Sequence, residues 1–138
     1  MNKTDRNKLM CREDILSITK KLVGIESIVN TDGEQDIATF IYNHLAAHPY
    51  FAENRSQLVM EQTMNDERER YNVLAYVKGT KEVSNRTAVL MGHMDTVGVD
   101  DFNKQRELAF SPEDWMKFLQ DEKIPEQAKE HLDSGDWL

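Results

Sequence analysis

The residues whose types and spacing best suit chemistry lie in the segment 90–98, where Asp95 follows His93 by two positions. Side chains two apart in an extended segment point to the same side, so the carboxylate can reach the imidazole. A histidine that binds a metal uses one ring nitrogen for the ion, and a carboxylate or carbonyl usually holds the other N–H. The pattern therefore indicates a metal ligand, His93, oriented by Asp95. A hydrogen-bonded turn histidine without a metal is the alternative that these residues leave open.

Other side chains with ligand or nucleophile chemistry are interpreted as surface residues. His44 and His48 have the spacing of a helical metal site, but they lack the acidic partner of a His-Glu-x-x-His motif. Cys11 lies in a polar stretch in which nothing is placed to activate a thiol. As the only cysteine it also excludes an intrachain disulfide, which indicates a reducing compartment.

The elements that must position His93 follow from the apolar pattern. The uninterrupted apolar run at 87–91 predicts a strand buried on both faces, ending at the sheet edge where ligands bind in open α/β folds. The charged residues 65–70 predict an exposed turn. The other predicted elements are helices over about 13–25 and 31–48, strands at 58–62 and 71–77, and helices beginning at 111 and 125. This order predicts the α/β class, with a layered sheet covered by helices.

Composition and charge exclude some classes of partner but do not identify a function. The 138 residues suit one domain, and 39% of them are apolar, which is enough to form a core. The net charge of -8 argues against a nucleic-acid partner, because phosphate binding needs a basic surface. We predict no membrane partner either, since no stretch reaches the ~18 apolar residues of a membrane span. Without a signal-peptide pattern, a cytoplasmic location is predicted.

Residues 92–97 resemble a known signature. Gly-His-Met-Asp-Thr-Val at these positions is similar to the Gly-His-x-Asp-Thr-Val motif of the aminoacylase-type dinuclear zinc metallopeptidases. That family includes acetylornithine deacetylase, succinyl-diaminopimelate desuccinylase, carboxypeptidases and dipeptidases. The resemblance runs from about residue 13 to 98, whereas residues 99–132 depart from the commoner members. Together with residues 98–102, that stretch most resembles a subgroup associated with arginine utilisation.

The resemblance implies a domain organisation and a chemistry. Residues 1–138 would be the N-terminal part of an incomplete zinc-peptidase-like catalytic domain, with 1–11 loose, 12–98 as its core and 99–132 as a helical insertion. His93 would bind one of two zinc ions, and Asp95 would take part in catalysis by orienting it. The bridging aspartate, the general-base glutamate and a dimerisation domain, through which a homodimer is possible, would lie beyond residue 138. Asp100, Asp101 and Asp136 are interpreted as surface carboxylates and not as replacements.

The function implied for the intact enzyme is hydrolysis of an amide or peptide bond in a small amino-acid or peptide substrate. The chain alone is predicted to bind zinc weakly and to be inactive, because zinc sites need three or four protein ligands. Two alternatives remain at this stage. One is a degenerate family member that acts as a binding or regulatory module, and the other is a small non-enzymatic α/β domain in which His93 is structural.

Overall fold

The computed structural model describes residues 11–80, 86–121 and 126–134. The predicted loose terminus at 1–11 therefore lies, except for its last residue, outside the described residues. The described chain combines helices with a small two-stranded sheet, which agrees with the α/β class at that coarse level. It divides into two compact units. One is Ile25–Gly98, and the other consists of the residues that precede and follow that range in the sequence.

In its described residues, 25–80 and 86–98, the unit Ile25–Gly98 contains two α-helices, a 3-10 turn at Arg55–Gln57 and a β-hairpin. Its elements are α2 (Gly33–Ala46), the short α3 (Pro49–Glu53), β1 (Leu58–Gln62) and β2 (Tyr71–Ala75), counting as α1 the helix Arg12–Val23 of the other unit. The strands pair antiparallel from Leu58 opposite Ala75 to Gln62 opposite Tyr71. The strand predicted at 58–62 is thus found with the same bounds, and the predicted helix at 31–48 and strand at 71–77 are found but shorter.

The core of this unit lies where α2 packs on the hairpin. Ile37 and Ala38 of α2, Phe51 of α3 and Leu58 of β1 are all buried. Burying a side chain such as isoleucine, leucine or phenylalanine stabilises a fold by about 1.5–3 kcal/mol. The opposite face of the hairpin is open, because the cross-strand partners Val59 and Leu74 are both exposed.

The predicted buried strand at 87–91 is wrong for this structure. Residues 86–91 are described, they carry no strand assignment, and Leu90 and Met91 are 96% and 94% exposed. A run without polar residues favours burial on both faces, but burial needs neighbouring strands that accept its backbone hydrogen bonds. No strand among residues 11–80, 86–121 and 126–134 pairs with it.

The other unit holds α1, α4 (Pro112–Asp121), α5 (Glu126–Ser134) and a 3-10 segment, Asp100–Leu108. The helices match those predicted to begin near 13, 111 and 125. Phe102, Trp115 and Phe118 form an aromatic cluster, with ring centroids 4.8 Å apart for the first pair and 5.2 Å for the second. Lys20 of α1 and Glu113 of α4 form an exposed ion pair at 2.7 Å. No helix in the described part of the chain is long and apolar enough to cross a membrane.

Candidate metal-ligand site

The segment that carries His93 and Asp95 is anchored by backbone hydrogen bonds just after the pair. The Thr96 N–H donates to the Ser27 carbonyl at 2.8 Å, and the Val29 N–H donates to the Thr96 carbonyl at 2.9 Å. These bonds form an isolated parallel bridge between Ile28 and Thr96. Ser27 is buried, at 1% exposure. The segment is thus fixed by a single bridge and not, as predicted, by the end of a covered strand.

His93 and Asp95 do lie close together. The His93 Nδ1 is 2.8 Å from the Asp95 carbonyl oxygen and 3.5 Å from its carboxylate Oδ1. A carbonyl oxygen can only accept a hydrogen bond, so Nδ1 carries the proton in the neutral imidazole. The lone pair is then on Nε2, which is the nitrogen left for a metal. The His93 side chain is 84% exposed and Asp95 is 41% exposed, so the ring is open to a ligand from solvent.

The pair borders an open cleft of about 270 Å³ within this unit. Gly92 contributes to the same wall, and a Cβ added there would meet nothing within 4 Å. The backbone at this position therefore borders open space. The residues lining the cleft are Glu34, Ile37, Arg70, Tyr71, Asn72, Gly92, His93, Met94 and Asp95.

Arg70 is a charged residue of the cleft that the sequence did not predict. The 65–70 segment was interpreted only as an exposed turn, yet Arg70 lines the cleft and is paired with Asp66. Hydrogen bonds from the Arg70 side chain lower the pKa of Asp66 from 3.8 to about 2, and backbone N–H groups of the loop add to the effect. An aspartate followed four residues later by arginine was the available signal, but that spacing predicts a contact only in a helix.

The other histidines considered from the sequence are not part of this cleft. His48 begins α3, and its Nδ1 accepts a hydrogen bond from the Tyr50 N–H at 3.3 Å. His44 stacks on Phe40 with ring centroids 6.0 Å apart. Both histidines are exposed, as expected for solvated side chains.

A zinc site needs more donors than this cleft supplies. Nε2 of His93 suits zinc as one ligand, but structural and catalytic zinc ions take three or four protein ligands. In the described ranges no three His, Cys, Asp or Glu side chains are grouped closely enough to hold a metal ion. The chain therefore fits one part of a zinc site, and no reaction step through a metal can be derived from its residues.

Comparison with known proteins gives three relatives. The chain is 32% identical over 126 residues to protein RocB of Bacillus subtilis, covering 91% of this chain and 22% of RocB. It is 28% identical over 129 residues to the uncharacterised protein YqjN of the same organism, with 92% and 23% covered. A probable carboxypeptidase of Talaromyces marneffei is 32% identical over 96 residues, with 70% and 20% covered.

These relatives agree with the resemblance carried by residues 92–97. Their similarity supports the aminoacylase-type metallopeptidase family that this signature resembles. It spans about a fifth of the length of the curated relatives that it matches. No family model and no solved structure matches it.

Proposed function

We propose that this chain contributes the first metal ligand of a zinc-dependent hydrolase that cleaves an amide or peptide bond of a small amino-acid derivative. The observation that carries the proposal is the contact between His93 Nδ1 and the Asp95 carbonyl oxygen at 2.8 Å, which leaves Nε2 available. Similarity to a probable carboxypeptidase supports a hydrolase as the parent activity. The resemblance of residues 98–132 to an arginine-utilisation subgroup supports a small amino-acid derivative as the substrate.

The roles of the two residues follow from their geometry. His93 would present Nε2 to the metal, and the Asp95 carbonyl oxygen fixes the ring by accepting a hydrogen bond from the Nδ1–H group. Zinc, when bound with its full ligand set, would lower the pKa of a bound water and polarise the scissile carbonyl. Asp95 does not face the reacting atoms in this scheme, so it acts through His93.

The chain alone is proposed to bind zinc weakly and to lack hydrolase activity. Only one credible ligand lies in the cleft, whereas zinc affinity in proteins depends on several ligands acting together.

Calorimetric titration with zinc tests this proposal. We expect weak uptake that does not saturate at one equivalent, reduced by His93→Ala and unchanged by His48→Gln, an exposed histidine outside the cleft. His93→Ala should also leave the unfolding free energy within about 0.5 kcal/mol of wild type, as expected for an exposed side chain. Tight stoichiometric uptake abolished by His93→Ala would contradict the weak binding, and equal losses in both variants would contradict the role of His93.

An amine-release assay tests the proposed lack of hydrolase activity. The chain, supplied with zinc, should release no amine from a panel of N-acyl amino acids and dipeptides. Turnover that disappears in the His93→Ala variant would show that the chain already contains a complete catalytic centre, against the proposal.

A further inference from the structure

The orientation of the His93 ring depends on a backbone group. The side chain is 84% exposed, so packing against neighbours cannot hold it. The Asp95 carboxylate lies 3.5 Å from Nδ1, which is longer than an ordinary hydrogen bond. The Asp95 carbonyl oxygen, at 2.8 Å, is within hydrogen-bond range. Whatever sets the direction of that carbonyl therefore sets the ring.

The Asp95 carbonyl and the Thr96 N–H belong to the same peptide unit. A peptide unit is planar, and in its trans form the C=O and N–H bonds point in opposite directions. The peptide bond between Asp95 and Thr96 is trans. The direction of the Thr96 N–H therefore fixes the direction of the Asp95 carbonyl.

The Thr96 N–H is held by the carbonyl oxygen of Ser27, to which it donates at 2.8 Å. One hydrogen bond thus enters the 95–96 peptide unit from Ser27, and another leaves it toward Nδ1 of His93. Hydrogen bonds linked in this way polarise one another, so each strengthens its neighbour. The Ser27 carbonyl therefore acts on the imidazole through a rigid unit, although the two residues are far apart in the sequence.

Ser27 is itself fixed by close packing. The residue is 1% exposed, and its N–H donates to the Ile25 carbonyl at 2.7 Å. The backbone of Glu26 and Ser27 lies so close to Gly33, at the start of α2, that the space between them does not admit even a Cβ atom. The acceptor of the Thr96 N–H is therefore held in a part of the unit where backbone packs on backbone.

We propose that Ser27 is a positioning residue for His93: its carbonyl oxygen, by holding the Thr96 N–H, turns the Asp95 carbonyl toward Nδ1 and leaves Nε2 for the metal. This inference rests on the proposed function and deepens it. The role belongs to the backbone carbonyl of Ser27 and not to its hydroxyl group. The other hydrogen bond of the bridge, from the Val29 N–H to the Thr96 carbonyl at 2.9 Å, involves the next peptide unit and contributes less.

The tautomer of His93 is the readout, measured from imidazole ¹⁵N shifts of the whole chain at an alkaline pH at which imidazole is neutral. In wild type the Nδ1–H form should predominate. Thr96→Pro removes the N–H that Ser27 accepts. It should lower the ratio of Nδ1–H to Nε2–H by about twofold to tenfold, the change in an equilibrium that the loss of one hydrogen bond produces.

Val29→Pro is the matched control, because it introduces the same ring and removes the other N–H of the same bridge. It should lower the ratio less than Thr96→Pro does. Thr96→Val keeps the N–H and Ser27→Ala keeps the carbonyl, so both should leave the ratio unchanged. If Thr96→Pro does not fold, as judged by circular dichroism, Gly33→Ala decides the question, since its Cβ displaces the backbone of Ser27 and should lower the ratio in the same way.

The outcomes separate the inference from the proposed function. A wild-type ring with the proton on Nε2 would remove the support for the proposed function itself. A wild-type ring with the proton on Nδ1 whose ratio is unchanged in the deciding variant would overturn only the role of Ser27. An equal fall in Val29→Pro would show that the bridge as a whole, and not the 95–96 peptide unit, holds the ring, and would also overturn it. A fall in Thr96→Val or Ser27→Ala would assign the effect to a hydroxyl group, against the inference.

Discussion

Substituting Gly33 by alanine should destabilise the chain strongly, because the start of α2 lies directly against another backbone segment. A Cβ at this position would lie 1.8 Å from the Glu26 carbonyl oxygen, 2.7 Å from its carbon and 3.1 Å from the Ser27 Cα. All three atoms belong to the backbone, so no side chain can rotate away. Ser27 is 1% exposed and is bonded to Thr96, so the displacement would reach the segment that carries the site.

The stability loss expected for Gly33→Ala is the difference between two opposed effects. Overpacking a close contact lowers the free energy of unfolding by about 1–3 kcal/mol. We expect a value at the upper end of this range, because the atoms that Cβ would meet belong to the backbone and cannot move aside. Replacing glycine by alanine in a helix returns up to about 1 kcal/mol. The net loss is therefore about 2 kcal/mol, which lowers the midpoint of thermal unfolding by roughly 5–10 °C for a chain of this size.

Thermal unfolding followed by circular dichroism measures this loss, with two glycine controls. At Gly79 a Cβ would meet nothing within 4 Å, so Gly79→Ala should change the midpoint little. Gly24→Ala should be intermediate, because its Cβ would lie 3.3 Å from the Lys20 carbonyl oxygen. If Gly33→Ala unfolds within about 2 °C of wild type, less than ~1 kcal/mol is lost and the close approach is refuted.

Two further predictions concern the Asp66–Arg70 ion pair and the aromatic cluster around Trp115. Because the folded-state pKa of Asp66 is lowered to about 2, its pair with Arg70 stabilises the fold above the ordinary aspartate value of 3.8. The stability difference between wild type and Asp66→Asn should therefore shrink as the pH falls from about 4 toward 2 in acid titrations; a constant difference would contradict it. Trp115→Leu should cost about 1–3 kcal/mol in chemical unfolding, since two aromatic contacts worth ~0.5–1.5 kcal/mol each are lost; an unchanged midpoint would show that the cluster contributes nothing.

Local patterns predicted the helices and the hairpin well. The apolar spacing located α1 and α2, and the Ser-Pro start at 111 located α4. These features depend on residues close in sequence, so the sequence alone carries the information.

Features that depend on distant partners could not be predicted in the same way. The apolar run at 87–91 has the pattern of a buried strand, but whether it is buried depends on the chain that lies beside it. The link between Thr96 and Ile28 joins residues far apart in the chain and leaves no local pattern. The position of Arg70 in the cleft depends on the left-handed Glu69, which no propensity favours.

The sequence predicts that His93 and Asp95 lie close together, and this prediction does not depend on the strand predicted at 87–91. Alternation in an extended segment needs only local geometry, and the two residues meet although the segment is not part of a sheet. From the sequence, the Asp95 carboxylate is the expected hydrogen-bond acceptor. The structure gives the shorter contact to the carbonyl of Asp95, which orients the ring equally well.

The most direct test of the central claim is a zinc titration of the chain followed through the imidazole ¹⁵N resonances. We predict that the Nε2 signal of His93 shifts, that its Nδ1 signal keeps the shift of a protonated nitrogen, and that the signals of His44 and His48 move less. A zinc-dependent shift at Nδ1, or equal shifts at all three histidines, would contradict the claim that Asp95 orients His93 as a metal ligand.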